Sequence, residues 1–208
     1  DSKKSGRGVL DYNLKMVIPA EYNEITVVGK VIVVKIFGFL NPLNKDISGI
    51  YNRSYELVVP VKFDGKFEET EPGYISNTYG TRVGLITTEG KIIIPFDRLA
   101  VRIYKEDGLV MAKDTTSAWQ AYNLDGSLMS DLKFEEFQPG KSGYFTVRMN
   151  GKWGVFKEKL LTQCLYDEVD ETDYADGTFI LKKENKSGVT DTAGNELVPY
   201  KYDVVSRH

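Results

Sequence analysis

The sequence predicts an all-β protein that consists of about six antiparallel repeat units, each with three short strands. Three observations support this prediction. A glycine or its substitute recurs at residues 8, 49, 84, 120, 154 and 188, in steps of 41, 35, 36, 34 and 34 residues. A residue typical of turns follows most of these anchors, and four of the turns precede an aliphatic run that ends in proline. A repeat near 35 residues is typical of arrays in which neighbouring copies bury each other's apolar faces.

The first strand of each copy contains the anchor and ends at a turn. The residues three positions after the anchors are mostly types whose side chains bond the nearby backbone: Asp11, Asn52, Thr87, Asn123, Lys157 and Asp191. Three copies then have Gly90, Gly126 or Gly194, and glycine readily adopts a positive φ. These residues predict short hairpin loops.

The second strand is the aliphatic run, which closes on a proline eleven residues after its anchor. These prolines are Pro19, Pro60, Pro95 and Pro199. Proline has no N–H to donate to a ladder, so it predicts a bulge, a sheet edge or a kink.

An aromatic residue with acidic neighbours comes next, and we expect this segment to turn a corner. The aromatic residues are Tyr22, Phe63, Phe134, Tyr166 and Tyr202. A third apolar stretch, such as Tyr144–Arg148 or Thr178–Lys182, leads into the next copy and is predicted to be the third strand.

One such unit cannot shield its apolar face alone, so we treat residues 1–208 as a single repeat domain. We expect an open, twisted, solenoid-like array, because the degenerate ends and the long first step fit closure poorly. A closed propeller-like ring is the alternative. We expect the Trp and Tyr residues of each copy to fill the seams between units, although they could instead form an aromatic platform for a ligand.

Three stretches of this chain resemble the WG-repeat (KWG-repeat) family of bacterial proteins. Gly151–Gly154, with the sequence Gly-Lys-Trp-Gly, and Tyr166–Val169, with Tyr-Asp-Glu-Val, match its two ends, while Thr88–Pro95 matches its middle. The resemblance extends from about Lys4 to Val205. It implies an all-β repeat array, often in exported or surface-associated proteins, without a general enzymatic activity.

This chain departs from the family pattern at several anchors. Only Trp119 and Trp153 occupy the Trp position, and Gln120 replaces one anchor glycine. The family offers no catalytic residues to carry over, so the resemblance informs the fold rather than a reaction.

Composition argues against several classes of function. The 27 Lys and Arg residues are interspersed among 30 Asp and Glu residues, and the net charge of −3 does not suggest a nucleic-acid surface. The apolar runs are too short to span a membrane. The sequence begins at Asp1 without an initiator Met, so we expect an upstream piece to have been cleaved or left out; together with the family resemblance, this gives an expected location outside the cytoplasm.

The sequence offers little for catalysis, and we predict no catalytic residue, metal site or cofactor. The single histidine is His208, and the single cysteine, Cys164, has no second cysteine for a metal or redox motif. The densest acidic cluster is Asp167, Glu168, Asp170, Glu171, Asp173 and Asp176.

Three interpretations of this cluster stay open: a solvated corner between strands, a weak cation site, or a catalytic acid pair. The weak cation site would use Asp170, Glu171, Asp173 and Asp176.

The segment Ile36–Leu43 is apolar yet contains Gly38 and Pro42, which favours a loop, and it accounts for the long first step. If exposed, such a loop would be a partner site; otherwise it would fold back as a cap on the first unit. The candidate contact residues are Phe37, Phe39, Leu40 and Leu43.

The sequence therefore favours a non-enzymatic repeat module that binds a protein or a glycan outside the cytoplasm. One alternative is a structural spacer or envelope-assembly element with no ligand. A carbohydrate-active hydrolase that uses paired carboxylates is the other. An exposed aromatic column would favour binding, whereas buried Trp and Tyr columns would favour the spacer.

Overall fold

The computed structural model describes residues 6–78, 80–169 and 177–206. These residues form two compact units, Asp1–Val101 and Arg102–His208. They contain twenty β-strands in six antiparallel sheets, none of which closes on itself, and the only helical segment in these ranges is a 3₁₀ turn at Gly38–Leu40. The predicted all-β antiparallel repeat fold is confirmed.

The first unit contains sheets 1 to 3. Sheet 1 has two strands, β1 (Arg7–Leu10) and β2 (Met16–Tyr22). Sheet 2 has four: β3 (Glu24–Val28), β4 (Val31–Ile36), β5 (Ile47–Tyr51) and β6 (Leu57–Phe63). Sheet 3 also has four: β7 (Lys66–Glu71), β8 (Tyr74–Thr78), β9 (Val83–Thr87) and β10 (Ile92–Arg98).

The second unit contains sheets 4 to 6, although the first strand of sheet 4 begins just before its boundary. Sheet 4 has β11 (Ala100–Tyr104), β12 (Leu109–Lys113) and β13 (Trp119–Asn123). Sheet 5 has β14 (Glu136–Pro139), β15 (Phe145–Met149) and β16 (Lys152–Phe156). Sheet 6 has β17 (Glu168–Val169), β18 (Thr178–Lys183), β19 (Lys186–Asp191) and β20 (Glu196–Tyr202).

Each of the six anchors lies on a strand of a different sheet. In a complete sheet the order is a corner strand, a lead strand, the anchor strand and a proline strand, as in β3, β4, β5 and β6. The corner and lead strands belong to one sequence copy and the other two strands to the next copy. The sequence predicts three strands per unit, but a complete sheet has four. The additional strand arises because the aromatic-acidic segment continues into a strand of its own after the corner.

The structure explains why an aromatic residue follows the Trp-Gly pair at a fixed distance. Trp153 and Tyr166 are opposite each other and exchange two backbone hydrogen bonds, with N–H to O distances of 2.8 and 3.2 Å. The residues before the other anchors pair in the same way: Arg7 with Tyr22, Ser48 with Phe63, Val83 with Arg98, Trp119 with Phe134 and Ser187 with Tyr202.

The prolines lie in bulges on edge strands, as predicted. On β6, Val59 pairs with Ile50 and Phe63 pairs with Ser48, so three residues of β6 lie opposite Gly49 alone. The same register shift occurs between β1 and β2, between β9 and β10, and between β19 and β20. A bulge accommodates proline because its extra residues do not need to donate to the ladder.

The same bulge accounts for the anchor glycine. A Cβ atom on Gly49 would lie 2.7 Å from the carbonyl oxygen of Val59 and 2.7 Å from a methyl group of Val61. Because the bulged strand lies against the anchor, a side chain at this position would displace backbone atoms.

The predicted turns are also present. Asp11, Asn52 and Asp191 each accept a backbone N–H from the residue four positions later at 2.8 to 2.9 Å. Gly90 and Gly194 have φ values of 97° and 86°. In these turns the side chain of the first residue accepts a backbone hydrogen bond that closes the hairpin loop.

Candidate functional site

The best candidate for a partner contact is the loop that joins β4 to β5. Three of its side chains are exposed: Phe39 by 77%, Leu43 by 59% and Leu40 by 38%. Phe37 is half-buried, and its ring centroid lies 5.9 Å from that of Phe39. The structure thus brings the four predicted contact residues together in one loop and turns three of them towards solvent.

Side-chain hydrogen bonds fix the backbone of this loop. The Asn41 amide donates to the carbonyl oxygens of Phe37, at 3.0 Å, and Lys45, at 2.8 Å. The Asn41 side-chain oxygen also accepts the N–H of Leu43 at 3.0 Å. One asparagine therefore ties together the start, the middle and the end of the loop.

Two further contacts anchor the base of the loop to sheet 2. The N–H of Phe37 donates to the side chain of Asn23 at 2.8 Å, and the N–H of Gly38 donates to Asp46 at 2.9 Å. Lys35 forms an ion pair with Asp46 at 2.9 Å. The hydrogen bonds from Lys35 and from Gly38 lower the pKa of Asp46, so the carboxylate stays charged and its contacts persist at neutral pH.

A groove of about 390 Å³ lies between sheets 2 and 3, and sequence reasoning missed it. Val33 and Phe67 form an apolar floor, while Glu24, Lys35 and Glu69 are among the charged residues of its walls. Lys35 also lies 5.6 Å from the ring of Phe37, so the groove reaches the base of the loop. No sequence signal could have located it, because it forms only where the edge of sheet 3 meets the face of sheet 2.

Most rings of the aromatic columns are buried or half-buried, whereas Tyr202 in the last copy is exposed by 44%. Tyr22 and Phe134 are exposed by 2% and 0%, and Trp119 by 7%. Trp119 packs edge-to-face on Phe137 at 4.8 Å between centroids. Trp153 and Tyr166 are half-buried. These rings fill seams between neighbouring sheets, which is the role that the sequence predicts for them.

The residues with potential chemical roles fall into two groups. The proposed cation ligands Asp170, Glu171, Asp173 and Asp176, and the single histidine His208, lie outside the described residues. The rest of the acidic cluster is paired: Asp167 forms an ion pair with Lys152, and Glu168 lies 3.1 Å from Lys182. Among the described residues, no group of three or more His, Cys, Asp or Glu side chains could hold a metal ion.

Cys164 is half-buried, and burial raises the pKa of its thiol. A raised pKa lowers the thiolate fraction, which argues against a nucleophilic role. Within the described ranges, no helix has the length and apolar character needed to cross a lipid bilayer.

Comparison with known proteins supports the repeat interpretation. A family model described as WG containing repeat matches residues 121–153, which is about one copy, and confirms the resemblance to WG-repeat proteins. A comparison with curated proteins gives no match.

Several solved structures show distant similarity. The WD40 beta propeller domain of Doa1 is 10% identical with a TM-score of 0.31, covering 87% of this chain and 71% of that one. BamB from Moraxella catarrhalis is 10% identical with a TM-score of 0.34, covering 96% and 69%. Hsv2p from Kluyveromyces lactis is 9% identical with a TM-score of 0.34, covering 92% and 70%.

Proposed function

We propose that this β-repeat protein is a non-enzymatic binding module that acts outside the cytoplasm and contacts a protein partner through the loop between β4 and β5. One observation carries the proposal: the loop has a fixed backbone and yet exposes Phe39, Leu40 and Leu43. A soluble protein rarely presents clustered large apolar side chains without a use for them. A rigid loop also loses little conformational freedom on binding, which favours affinity.

The exposed chemistry favours a protein over a glycan. Leu40 and Leu43 offer aliphatic surface, which contributes to binding when another apolar surface excludes water from it. A glycan site also needs several hydrogen-bonding side chains beside an exposed ring, and the exposed side chains Phe39, Leu40 and Leu43 have no hydrogen-bonding group.

The absence of catalysis is part of the proposal and has chemical support. The thiol of Cys164 has a raised pKa, and Asp167 and Glu168 form ion pairs with lysines instead of facing each other across a cleft. The location outside the cytoplasm rests on the family resemblance. Fractionation of the source cells with protection from added protease as the readout would test it.

The test of binding compares two double variants of the purified chain. The first is Phe39→Ser with Leu43→Ser. The matched control is Leu197→Ser with Val204→Ser, which removes apolar side chains exposed by 55% and 78% in the second unit. Proteins captured by the wild-type chain are identified and their affinities measured by calorimetry, with a glycan array in parallel.

We expect the loop variant to weaken binding of a protein partner at least tenfold, which corresponds to about 1.4 kcal/mol, while the control binds like the wild type. Equal binding by both variants would assign the loop to a capping role. A glycan signal that the loop variant abolishes would replace the protein partner with a carbohydrate.

A structural spacer is the second candidate function. The burial of Tyr22, Phe134 and Trp119 favours it, because aromatic side chains committed to seams contribute stability rather than recognition. The spacer is supported if neither the pull-down nor the glycan array gives a saturable ligand.

A further inference from the structure

The groove between sheets 2 and 3 has a filled counterpart between sheets 4 and 5. In both places the residue before the anchor lies opposite a lysine of the lead strand: Ser48 opposite Lys35 in sheet 2, and Trp119 opposite Lys113 in sheet 4. Side chains of directly opposite residues lie on the same face of a sheet. Ser48, which lines the groove, therefore occupies the position that an indole ring occupies in sheet 4.

The facing walls of the groove and of this filled seam are also equivalent. Phe67 and Phe137 are the second residues of the corner strands β7 and β14, and they are exposed by 4% and 7%. Trp119 packs edge-to-face on Phe137, with 4.8 Å between the ring centroids. Ser48 has only a hydroxyl group beyond its Cβ atom, so the space in front of Phe67 stays open, and both residues line the groove.

Two positions on the corner strand carry smaller side chains in the groove than in the filled seam. The third residue of this strand is Thr26 in sheet 2 and Arg102 in sheet 4. The fifth residue is Val28 in sheet 2 and Tyr104 in sheet 4. The guanidinium of Arg102 lies 5.3 Å from the centroid of the Trp119 ring. The filled seam thus places an aromatic ring and a cation where the groove has an open volume of about 390 Å³.

The walls of the groove carry negative charge that the filled seam lacks. Three glutamates line the groove: Glu24, Glu68 and Glu69. The residues at the same positions of strands β11 and β14 are uncharged: Ala100, Gln138 and Pro139. Both lysines of the lining form ion pairs, at 2.9 and 2.7 Å: Lys35 with Asp46 and Lys66 with Glu68. This excess of carboxylates favours a positively charged group in the groove.

We propose that the groove is a binding site for a small aromatic amine, a molecule with a planar ring of about indole size and a positively charged substituent. The ring lies between Ser48 and Phe67, as the Trp119 ring lies against Phe137. The cationic group lies beside Thr26 and Glu24, at the position that Arg102 has in the filled seam.

The groove has the properties that such a ligand requires. Sites for small molecules have volumes of roughly 300 to 1,000 Å³ and combine apolar surface with a few polar groups. The ring would exclude water from the apolar floor formed by Val33 and Phe67, and the carboxylate of Glu24 would attract the amine. The site uses none of the exposed side chains of the loop between β4 and β5, so it goes beyond the proposed protein contact.

The test compares two probes that have the same ring and opposite charges. Tryptamine carries an ammonium group on a short alkyl chain, and indole-3-propionic acid carries a carboxylate on the same chain. Calorimetry measures the binding of each probe to the 208-residue chain. Amide chemical shifts of isotopically labelled protein locate the site.

We expect saturable binding of tryptamine and at least tenfold weaker binding of indole-3-propionic acid. Tryptamine should shift the amide signals of three groove residues: Val33, Ser48 and Phe67. The equivalent residues of the filled seam serve as an internal control, and their signals should not move: Met111, Trp119 and Phe137.

Two protein variants separate the contribution of the ring from that of the charge. Ser48→Trp fills the groove with an indole from the chain itself and should weaken tryptamine binding at least tenfold. Its matched control, Ser187→Trp, makes the same change opposite Lys182 in sheet 6 and should bind like the wild type. Glu24→Gln keeps the size of the side chain and should weaken tryptamine binding about threefold, while binding of uncharged indole stays the same.

Four results would overturn the proposal. They are no saturable binding of tryptamine by the wild-type chain, shift changes that exclude Ser48 and Phe67, equal affinities for the two probes, and undiminished binding by a folded Ser48→Trp variant. The Phe39→Ser, Leu43→Ser variant should bind tryptamine like the wild type, so a failure of the loop proposal leaves this result unchanged.

Discussion

Sheets 2 and 4 cover the same edge of the anchor strand in two different ways. In sheet 2 the regular strand β6, which contains the proline, pairs with the anchor strand β5. The residue before the anchor Gly49 is the small Ser48. In sheet 4 no regular strand occupies this position among the described residues. Two isolated bridges replace it, and Trp119 precedes the anchor. Sheet 5, with Trp153, follows the second pattern.

In sheet 4 an irregular segment still bonds to the anchor strand, at Met129 and Phe134, and the large side chain of Trp119 is buried beside it. Trp119 packs on Phe137, and the guanidinium of Arg102 lies 5.3 Å from its ring centroid. The anchor position of sheet 4 accepts a side chain, since Gln120 is half-buried there, whereas a Cβ on Gly154 of sheet 5 would lie 2.9 Å from the Thr162 carbonyl oxygen.

The largest expected effect is loss of the tryptophan from sheet 4. Trp119→Ala should reduce the free energy of unfolding by about 4 kcal/mol, because it removes a buried aromatic side chain and leaves a cavity. Urea titration followed by far-UV circular dichroism measures it. Trp153→Ala is the matched control and should cost about half as much, since Trp153 is only half-buried. Equal effects of the two variants would mean that burial does not determine what the tryptophan contributes.

Placing alanine at the anchor position should further separate sheet 2 from sheet 4. Gly49→Ala places a Cβ 2.7 Å from the Val59 carbonyl oxygen, so we expect a loss of about 3 kcal/mol from overpacking against backbone. Gln120→Ala at the equivalent anchor should change the free energy of unfolding by no more than about 0.5 kcal/mol. The same urea titration applies. A tolerated Gly49→Ala would show that the bulged strand moves aside at little cost.

Most of the fold could be predicted from the sequence because the repeat constrains it at several positions at once. The anchors, the turn residues and the prolines recur at fixed offsets, and each has one simple structural explanation. The corner strand was missed because the acidic residues of segments such as Glu68–Glu71 resemble a solvated corner. Only the pairing with the following strand shows that such a segment is itself a strand.

The candidate site was predicted in part. The loop between β4 and β5 was found because its apolar residues interrupt the repeat. The groove beside Lys35 was not, because it depends on how one sheet lies against the next.

The smallest of the three effects concerns the ion pair that holds the irregular segment of sheet 4. Asp114 is buried, accepts the backbone N–H groups of Thr116 and Ala118 at 2.8 and 3.1 Å, and pairs with Lys133 at 2.7 Å. The hydrogen bond from Lys133 has the largest effect on the pKa of Asp114. Together with the hydrogen bonds from Thr116 and Ala118, it lowers this pKa well below its ordinary range. Lys133 precedes Phe134, so this pair ties the turn before Trp119 to the segment that replaces the proline strand.

Asp114→Asn should reduce the free energy of unfolding by about 2 kcal/mol at pH 7, because charge-assisted hydrogen bonds are lost while the shape is kept. The pKa is lower in the folded state, so the carboxylate contributes its full stabilisation above the unfolded-state pKa of about 4. This contribution is lost progressively as the pH falls from there through the folded-state pKa. Urea titrations from pH 7 to pH 2 should therefore show the difference in stability between the two proteins shrinking below about pH 4. The matched control is Asp191→Asn, which changes an exposed turn in sheet 6 and should cost less at pH 7. A difference in stability between wild type and Asp114→Asn that stayed constant down to pH 2 would show that geometry, rather than charge, attaches this segment to its sheet.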